Sequence, residues 1–149
     1  MRRFLSGVVL VALVAAVPHG LYSHCQVPCG IYDDYMRVVK MKEDASTIDK
    51  AITQIASLAG KTDVTSINQS VRWVMTKEQH AEAIIGSIAN YYLTQRVKSD
   101  AADYATRLQA HHAVMVAAMK VKQDAKPATV TELRKAIDGI AGYYPEHTH

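Results

Sequence analysis

The sequence "DVTSINQSVRWVMTKEQHAEAIIGSIANYYLTQRV", residues 63–97, indicates the fold class. Apolar side chains recur in it three, four or seven residues apart, at Ile67, Val71, Val74, Ala81, Ile85, Ile88 and Tyr92. An α-helix has about 3.6 residues per turn, so this spacing places the apolar side chains along one face. The stretch therefore predicts a long helix that packs its apolar face in a helical bundle.

The chain on either side of this stretch predicts three more helices. The first covers about residues 33–59, and Gly60 is a typical helix stop. The third covers about residues 100–123. The fourth opens in "PATVTEL", where Thr129 and Glu132 have the spacing of a capping box. No segment alternates apolar and polar residues for long enough to predict a strand.

The segments that join the predicted helices are short, which favours antiparallel neighbours. The predicted fold class is therefore all-α, an up-down four-helix bundle over residues 33–144 with a polar tail at residues 145–149. Methionines fall at helical spacing and are predicted to fill the core: Met36, Met41, Met75, Met115 and Met119.

The histidines in the predicted helices lack the pattern of a metal site. His80 lies in "KEQHAE" and is interpreted as a solvated or partner-facing side chain on a charged helix face. His111 and His112 are neighbours, and adjacent helical positions cannot both point at one core site. We therefore interpret the helices as a scaffold and look for the chemistry in the residues that precede them.

The net charge of the chain is modest. There are 17 Lys and Arg against 14 Asp and Glu, a formal net charge of +3. Without Arg2 and Arg3, which lie in the N-terminal leader, 15 bases remain against 14 acids. So small an excess, with no basic cluster containing aromatic residues, does not indicate a nucleic-acid partner.

Residues 1–23, "MRRFLSGVVLVALVAAVPHGLYS", form the leader. Two arginines precede an apolar run of about fourteen residues, whereas a membrane-spanning helix needs about 20. This pattern predicts a secretory signal peptide that a protease removes, with an uncleaved membrane anchor as the alternative. A signal peptide implies export to the periplasm or the extracellular space. If the leader is only a processed propeptide, the protein is expected in the cytoplasm.

Both cysteines of the chain lie just after the leader, in "SHCQVPCGIYDDY", residues 23–35. Pro28 removes a backbone donor and Gly30 permits a tight turn, so the segment from Cys25 to Cys29 predicts a compact turn rather than a helix. Three interpretations compete here: a small disulfide loop, a thiol–disulfide exchange site and a zinc site. The exchange site normally has Cys-x-x-Cys at a helix start, and a zinc site needs about four ligands where this segment has three at most.

A fourth interpretation depends on cleavage after Ser23. Cleavage would expose the α-amine of His24, which with the Cys25 amide and the thiolates of Cys25 and Cys29 makes a planar set of two nitrogens and two sulfurs. Such a set suits Ni(II) or Cu(II) better than tetrahedral zinc. The His24 imidazole could then bind from above the plane as a fifth ligand.

These residues carry a family resemblance. The sequence "HCQVPCGIY", residues 24–32, resembles the nickel hook of nickel-containing superoxide dismutases, whose pattern is His-Cys-x-x-Pro-Cys-Gly-x-Tyr at the processed N-terminus. The resemblance implies a four-helix homohexamer with one nickel ion per subunit. It implies the conversion of superoxide to oxygen and hydrogen peroxide as nickel cycles between Ni(II) and Ni(III).

The resemblance also implies roles for residues 24–32, which we call the hook. It makes His24, Cys25 and Cys29 the nickel ligands, with His24 also counted as catalytic. It puts Tyr32 at the mouth of the site, where it limits access and orders substrate or water. Pro28 and Gly30 would shape the hook, Pro28 through a cis peptide bond after Val27.

The chain also departs from the family pattern. In relatives a glutamate of the first helix and an arginine of the second tether the axial imidazole, and here Lys40 and His80 occupy those positions in approximate register. Glu43 or Glu78 could take over the tether. The bases of the first helix, Arg37, Lys40 and Lys42, could attract the superoxide anion.

Two alternatives to a dismutase follow from the residues alone. One is a non-enzymatic nickel- or copper-binding helical protein that uses the same amino-terminal chelate. The other is an exported helical module whose cysteines form a plain disulfide.

Overall fold

The structure is a computed structural model that describes residues 33–146. The predicted leader, the hook and the last three residues of the predicted tail lie outside the described residues. Among the helices that the structure describes, none is both long enough and apolar enough to cross a membrane.

Four helical segments make up the described chain, and no strand occurs in it. We name them α1 (Asp34–Leu58), α2 (Val64–Ser87), α3 (Tyr104–Gln123) and α4 (Pro127–Ala141); α2 continues as a π-helix, Ile88–Arg96. Each helix contacts the next along the chain, and α1 also contacts α4. The predicted all-α four-helix bundle is confirmed.

The core of the bundle is made of the apolar faces that the helical spacing predicted. Its fully buried side chains come from all four helices and from the π-helix: Val38, Met41, Ile48, Ile52, Ile84, Ile88, Tyr92, Val114, Leu133, Ile137 and Ile140. Removing a side chain of this size from water stabilises the fold by about 1.5–3 kcal/mol. Packing of these faces, rather than helix propensity, holds the bundle together.

The starts of α1 and α2 and the end of α1 follow simple local rules. The side chains of Asp33 and Asp63 accept hydrogen bonds from the backbone N–H of Met36 (3.1 Å) and Ser66 (2.9 Å), which satisfies N–H groups that the helix cannot pair. Gly60 has a φ of +78°, which a side chain disfavours, so the predicted stop of the first helix is confirmed.

The predicted start of the third helix is wrong, whereas the fourth helix opens in "PATVTEL" as predicted but without the predicted capping box. Helix α3 begins at Tyr104, four residues after the predicted Asp100. Helix α4 begins at Pro127, whose fixed φ and missing N–H suit the first helical position, so no capping box forms at Thr129. The Thr129 hydroxyl donates to the Lys126 carbonyl at 2.7 Å instead. Glu132 pairs with Lys120 at 3.1 Å, which leaves its carboxylate committed elsewhere.

The apolar face of α2 is buried only along its second half. Ile67, Val71 and Val74 are exposed by 51%, 53% and 40%, because α3 ends before it reaches them. The end of α3 lies beside Lys77, whose Nζ donates to the last carbonyls of α3. The prediction that the methionines fill the core is confirmed for Met41. It is wrong for exposed methionines on three helices: Met36, Met75 and Met119.

Candidate metal centre

The predicted metal-binding and catalytic residues precede the described chain. His24, Cys25, Cys29 and Tyr32, together with Pro28 and Gly30, lie outside the described residues. Between residues 33 and 146 the structure has no group of three or more His, Cys, Asp or Glu side chains placed to hold a metal ion. The geometry therefore describes the surroundings of the point where the hook joins α1.

A cluster of charged and aromatic side chains holds the first residue of α1. Arg96 Nε donates to Asp34 Oδ1 at 2.8 Å, and the Tyr91 hydroxyl donates to the same oxygen. The Tyr92 hydroxyl donates to the Asp34 backbone carbonyl at 2.7 Å. Arg96 also donates to the Tyr91 hydroxyl at 2.9 Å, and the Arg37 guanidinium lies over the Tyr91 ring at 3.8 Å from its centre. Both the side chain and the backbone of Asp34 are therefore fixed.

The π-helix explains how these side chains reach one carboxylate. Tyr91 and Arg96 are five residues apart, which in an α-helix would turn them about 140° away from each other. The hydrogen bonds of a π-helix join residues five apart, as Val97 N does with the Tyr92 carbonyl at 2.9 Å. Tyr91 and Arg96 consequently lie on the same face, which points at Asp34.

Burial and hydrogen bonding fix the charge states in this cluster. Burial raises the pKa of Tyr91, and its bond to the Asp34 carboxylate adds to the shift, so the phenol keeps its proton as a donor. Burial alone would lower the pKa of Arg96, but its bonds to Tyr91 and Asp34 outweigh that effect and raise it. The cluster is thus a guanidinium and a phenol that both donate to one carboxylate.

A layer of aromatic rings supports the cluster from inside the bundle. The Tyr92 ring lies 4.5 Å from that of Tyr144, centre to centre, at a tilt of 46°. The Tyr144 hydroxyl donates to Nε2 of His111 at 2.8 Å, and His111 Nδ1 donates to the Arg107 carbonyl at 2.7 Å. His111 is fully buried, and burial lowers its pKa, so the ring is neutral. This histidine is a structural member of the core.

A cleft of about 380 Å³ lies beside the cluster, between α1, α2 and the π-helix. Arg37, Lys40 and Asp44 line it from α1, and Asn90 and Gln95 line it from the opposite side. The Gln95 side chain is buried, and its Oε1 has no hydrogen-bond partner within residues 33–146. A buried acceptor without a partner is destabilising, so this oxygen is a place where a donor would bind favourably.

Lys40 and His80, which the sequence analysis placed at the tether positions, both bind Asp44. The distance from Asp44 Oδ1 is 2.9 Å to Lys40 Nζ and 2.7 Å to His80 Nδ1. Because a carboxylate only accepts, His80 carries a proton on Nδ1. The prediction of a solvated or partner-facing histidine misses this contact, since His80 is paired with a carboxylate whose side chain is only 4% exposed.

The glutamates proposed as replacements have partners of their own. Glu43 lies 3.6 Å from Lys40, and Glu78 lies 2.8 Å from Lys77. Lys42, one of the bases considered for attracting superoxide, pairs with Asp138 at 2.8 Å on the surface. Arg37 and Lys40 are therefore the first-helix bases that line the cleft.

Four residues of the cluster and the cleft were not predicted from the sequence: Asp34, Asp44, Tyr91 and Arg96. Asp44 carried a usable signal, because it lies three residues after Met41 and four before Ile48, within an apolar stripe. An acid in such a stripe is buried and needs a partner. The other three carried no local signal, since their contact joins residues 62 positions apart and depends on the π-helix.

Comparison with known protein families gives the identity. The family model described as nickel-containing superoxide dismutase matches residues 19–148, a range that includes the hook and the whole bundle. The chain belongs to this family. The family dismutates superoxide with nickel as its cofactor, so the chain is a nickel-dependent superoxide dismutase, an oxidoreductase. The search of curated proteins found no match, and neither did the search of solved structures.

Proposed function

We propose that this nickel-containing superoxide dismutase binds one nickel ion per subunit through its hook. The groups that would hold nickel are the α-amine and imidazole of His24, the amide nitrogen of Cys25 and the thiolates of Cys25 and Cys29. This proposal rests on the chemistry of the donor set. Two sulfurs and two nitrogens joined by short covalent paths form a plane, which Ni(II) accepts and zinc does not favour.

Nickel in such a set supplies a one-electron couple that one superoxide ion can reduce and another can oxidise. Thiolates and a deprotonated amide donate electron density strongly, which favours the higher oxidation state. The reaction consumes two protons for each pair of superoxide ions, giving one oxygen and one hydrogen peroxide. We assign Tyr32 to the mouth of the site, where its hydroxyl can hold a proton or order water.

We propose that the cleft between α1 and the π-helix is the part of the bundle that faces the nickel site. Asp33, which follows the hook directly and caps α1, lies one turn before Arg37, and Arg37 lines the cleft. The buried Oε1 of Gln95 supports this placement, because it needs a donor that residues 33–146 do not provide. Backbone N–H groups of the hook are donors of the right kind.

The bases that line the cleft suit an anionic substrate. Arg37 lies over the Tyr91 ring, and Lys40 is 62% exposed at its side chain while it remains bound to Asp44. Fixed positive charge near a site raises the encounter rate of a small anion, and salt weakens the effect. We assign the attraction of superoxide chiefly to Arg37, because Asp44 and Glu43 offset the charge of Lys40, and we assign Lys42 to the surface.

We further propose that the subunits assemble as a homohexamer through the exposed half of α2. Val64, Ile67, Val71, Val74 and Met75 lie on this half and are exposed by 40–84%. A contiguous apolar stripe of this kind indicates a protein partner, and further copies of the chain are the partner that the family resemblance implies.

Removal of the leader belongs to the same proposal. While Ser23 is joined to His24, the nitrogen that should bind nickel is a peptide amide, and the planar set cannot form. A leader-processing protease is therefore required before the enzyme is active. A leader that is a signal peptide sends the enzyme to the periplasm or the extracellular space, and a leader that is only a propeptide leaves it in the cytoplasm.

The observation that most strongly supports this function is the complete hook pattern at residues 24–32. Comparing two proteins that differ only in their N-terminus tests it. Proteins that begin at Ser23 and at His24 are loaded with nickel, and their metal content and dismutase activity are measured. We expect full activity only from the chain that begins at His24. Its Cys25→Ser and Cys29→Ser variants should lose both nickel and activity while circular dichroism still reports helix. Equal activity from both N-termini, or an active serine variant, would refute this ligand set.

A further inference from the structure

We propose that Arg96 and Tyr91 are positioning residues for the hook, acting through Asp34. Together they fix Asp34, the residue that lies two positions after Tyr32, and so they hold the point at which the hook is attached to the bundle. We call this group, Asp34 with Tyr91 and Arg96, the clamp. The inference rests on the proposed function, because it takes the hook to be the nickel-binding segment.

The contacts of the clamp are unusual for the first turn of a helix. The first residues of a helix commonly fray, because their N–H groups have no partner within the helix. Here Asp34 is held at its carboxylate by Arg96 (2.8 Å) and Tyr91, and at its carbonyl by Tyr92 (2.7 Å). With side-chain exposures of 20% and 24%, Asp34 and Arg96 form a partly buried pair, in which charge-assisted bonds are worth more than on the surface.

The presence of a π-helix also indicates a functional role for this position. A π-helix is rarer and less stable than the α-helix that could have continued from α2, and such segments occur frequently at functional sites. Here it turns Tyr91 and Arg96 onto one face, so that both reach the same carboxylate oxygen. An uninterrupted α-helix would separate the two side chains, and the clamp could not form.

A fixed attachment point reduces the conformational entropy that the hook loses when it binds metal. The ligands come from a short segment, and each residue that becomes ordered on binding costs conformational entropy. The clamp fixes Asp34 when the bundle folds, so the attachment point of the hook is ordered before nickel arrives. Groups that orient metal ligands from outside commonly change metal affinity by about 10- to 100-fold when they are removed.

The chain offers a matched control at the start of α3. Arg107 Nε donates to Asp103 Oδ2 at 2.7 Å, and its guanidinium lies over the Tyr143 ring at 4.6 Å from the centre. This is again an arginine, an aspartate and a tyrosine at a helix start, but it is not joined to the hook. A loss of general stability at a helix start should therefore appear in Arg107 variants as well.

The experiment uses the mature chain from His24 and compares Tyr91→Phe, Arg96→Lys and Arg96→Gln with Arg107→Gln. Nickel affinity is measured by competition with a chelator, the thiolate-to-nickel absorption bands report ligand geometry, and thermal unfolding reports stability. Tyr91→Phe loses a single hydroxyl and serves if the arginine variants fold poorly.

We expect Arg96→Gln to weaken nickel binding by about 10- to 100-fold and to shift the absorption bands, with a smaller change for Arg96→Lys, which keeps the charge. Arg107→Gln should lower the unfolding temperature and leave affinity and spectrum unchanged. The proposal is overturned if Tyr91→Phe and Arg96→Gln lower stability and leave both nickel measurements at the parent values. A parent protein that binds no nickel would overturn the proposed function itself, which is a different result.

Discussion

The two ends of the bundle are built from different chemistry. The end that carries Asp34 buries polar and aromatic groups, including His111 and Tyr144, and joins them by hydrogen bonds. The end that carries Gly60 exposes apolar side chains, such as Val71 at 53%. Buried polar networks specify one geometry, whereas exposed apolar surface favours contact with another molecule. Hydrogen-bonded polar groups thus fix the geometry of one end, whereas the other end presents an apolar surface of the kind that contacts another molecule.

The largest effect that tests this division is on assembly. Val71→Asp puts a charge on the exposed apolar face, and desolvating an unpaired carboxylate in an interface costs several kcal/mol. We expect the mature protein to fall from an assembly to single subunits in sedimentation experiments, with its helix content kept. Thr65→Asp, which adds the same charge at an exposed position about 120° around α2 from Val71, is the control and should leave assembly intact. A Val71→Asp protein that stays assembled, or a parent that is already a single subunit, would contradict the proposed interface.

A smaller effect is expected at Lys77, where the packed part of α2 begins. Its ammonium group is buried and donates to the carbonyls of Val121 and Lys122 at 2.7 Å each and to Glu78 at 2.8 Å. A cation at a helix C-terminus also interacts favourably with the helix dipole. Lys77→Met leaves buried carbonyls without a donor, so we expect the free energy of unfolding to fall by about 2–4 kcal/mol.

Chemical denaturation at a fixed protein concentration measures this change. Lys120→Met is the matched control, because Lys120 is half-exposed and pairs with Glu132 on the surface, where such pairs contribute about 0–1 kcal/mol. If the two variants lose equal stability, Lys77 does not hold the end of α3 as described.

The comparison of the two ends also separates what the sequence can predict from what it cannot. Helical spacing in residues 63–97 identified an apolar face, but the spacing is the same whether that face is covered by the bundle or by another subunit. To predict that Val71 is exposed, one would therefore have needed to know that α3 ends at Gln123. The stop at Gly60 was predictable because its cause is local, a single residue at positive φ.

The clamp lay beyond prediction for a physical reason. No local pattern of side chains distinguishes a π-helix from an α-helix, since the difference is one of backbone register. Asp34 and Arg96 are 62 positions apart, and the residues next to each of them in the sequence do not indicate that the two side chains meet. The hook is the opposite case, because all the donors that we propose lie in nine consecutive residues, so proposing them required no contact between distant parts of the chain.

The smallest effect is a pH dependence at His111, in the buried network of the Asp34 end. Burial lowers the pKa of His111 below its ordinary value, and the neutral Nε2 accepts a hydrogen bond from Tyr144 at 2.8 Å. The unfolded chain takes up a proton near pH 6.5, where the folded protein does not. Below that pH the unfolded state binds more protons, so the free energy of unfolding falls as pH falls, by at most about 1.4 kcal/mol per pH unit. Above that pH, this contribution to stability is fully present.

Nickel binding also changes with pH, so this measurement uses the mature protein with Cys25→Ser and Cys29→Ser. Chemical denaturation between pH 8 and pH 5 gives the free energy of unfolding. His111→Gln should flatten part of the curve, because the amide of glutamine can still donate to the Arg107 carbonyl and accept from Tyr144 without titrating. His112 is exposed, so His112→Gln should keep the slope of the parent. If His111→Gln keeps that slope as well, other groups cause the dependence, and the Asp34 end does not depend on a neutral histidine in the way its hydrogen bonds indicate.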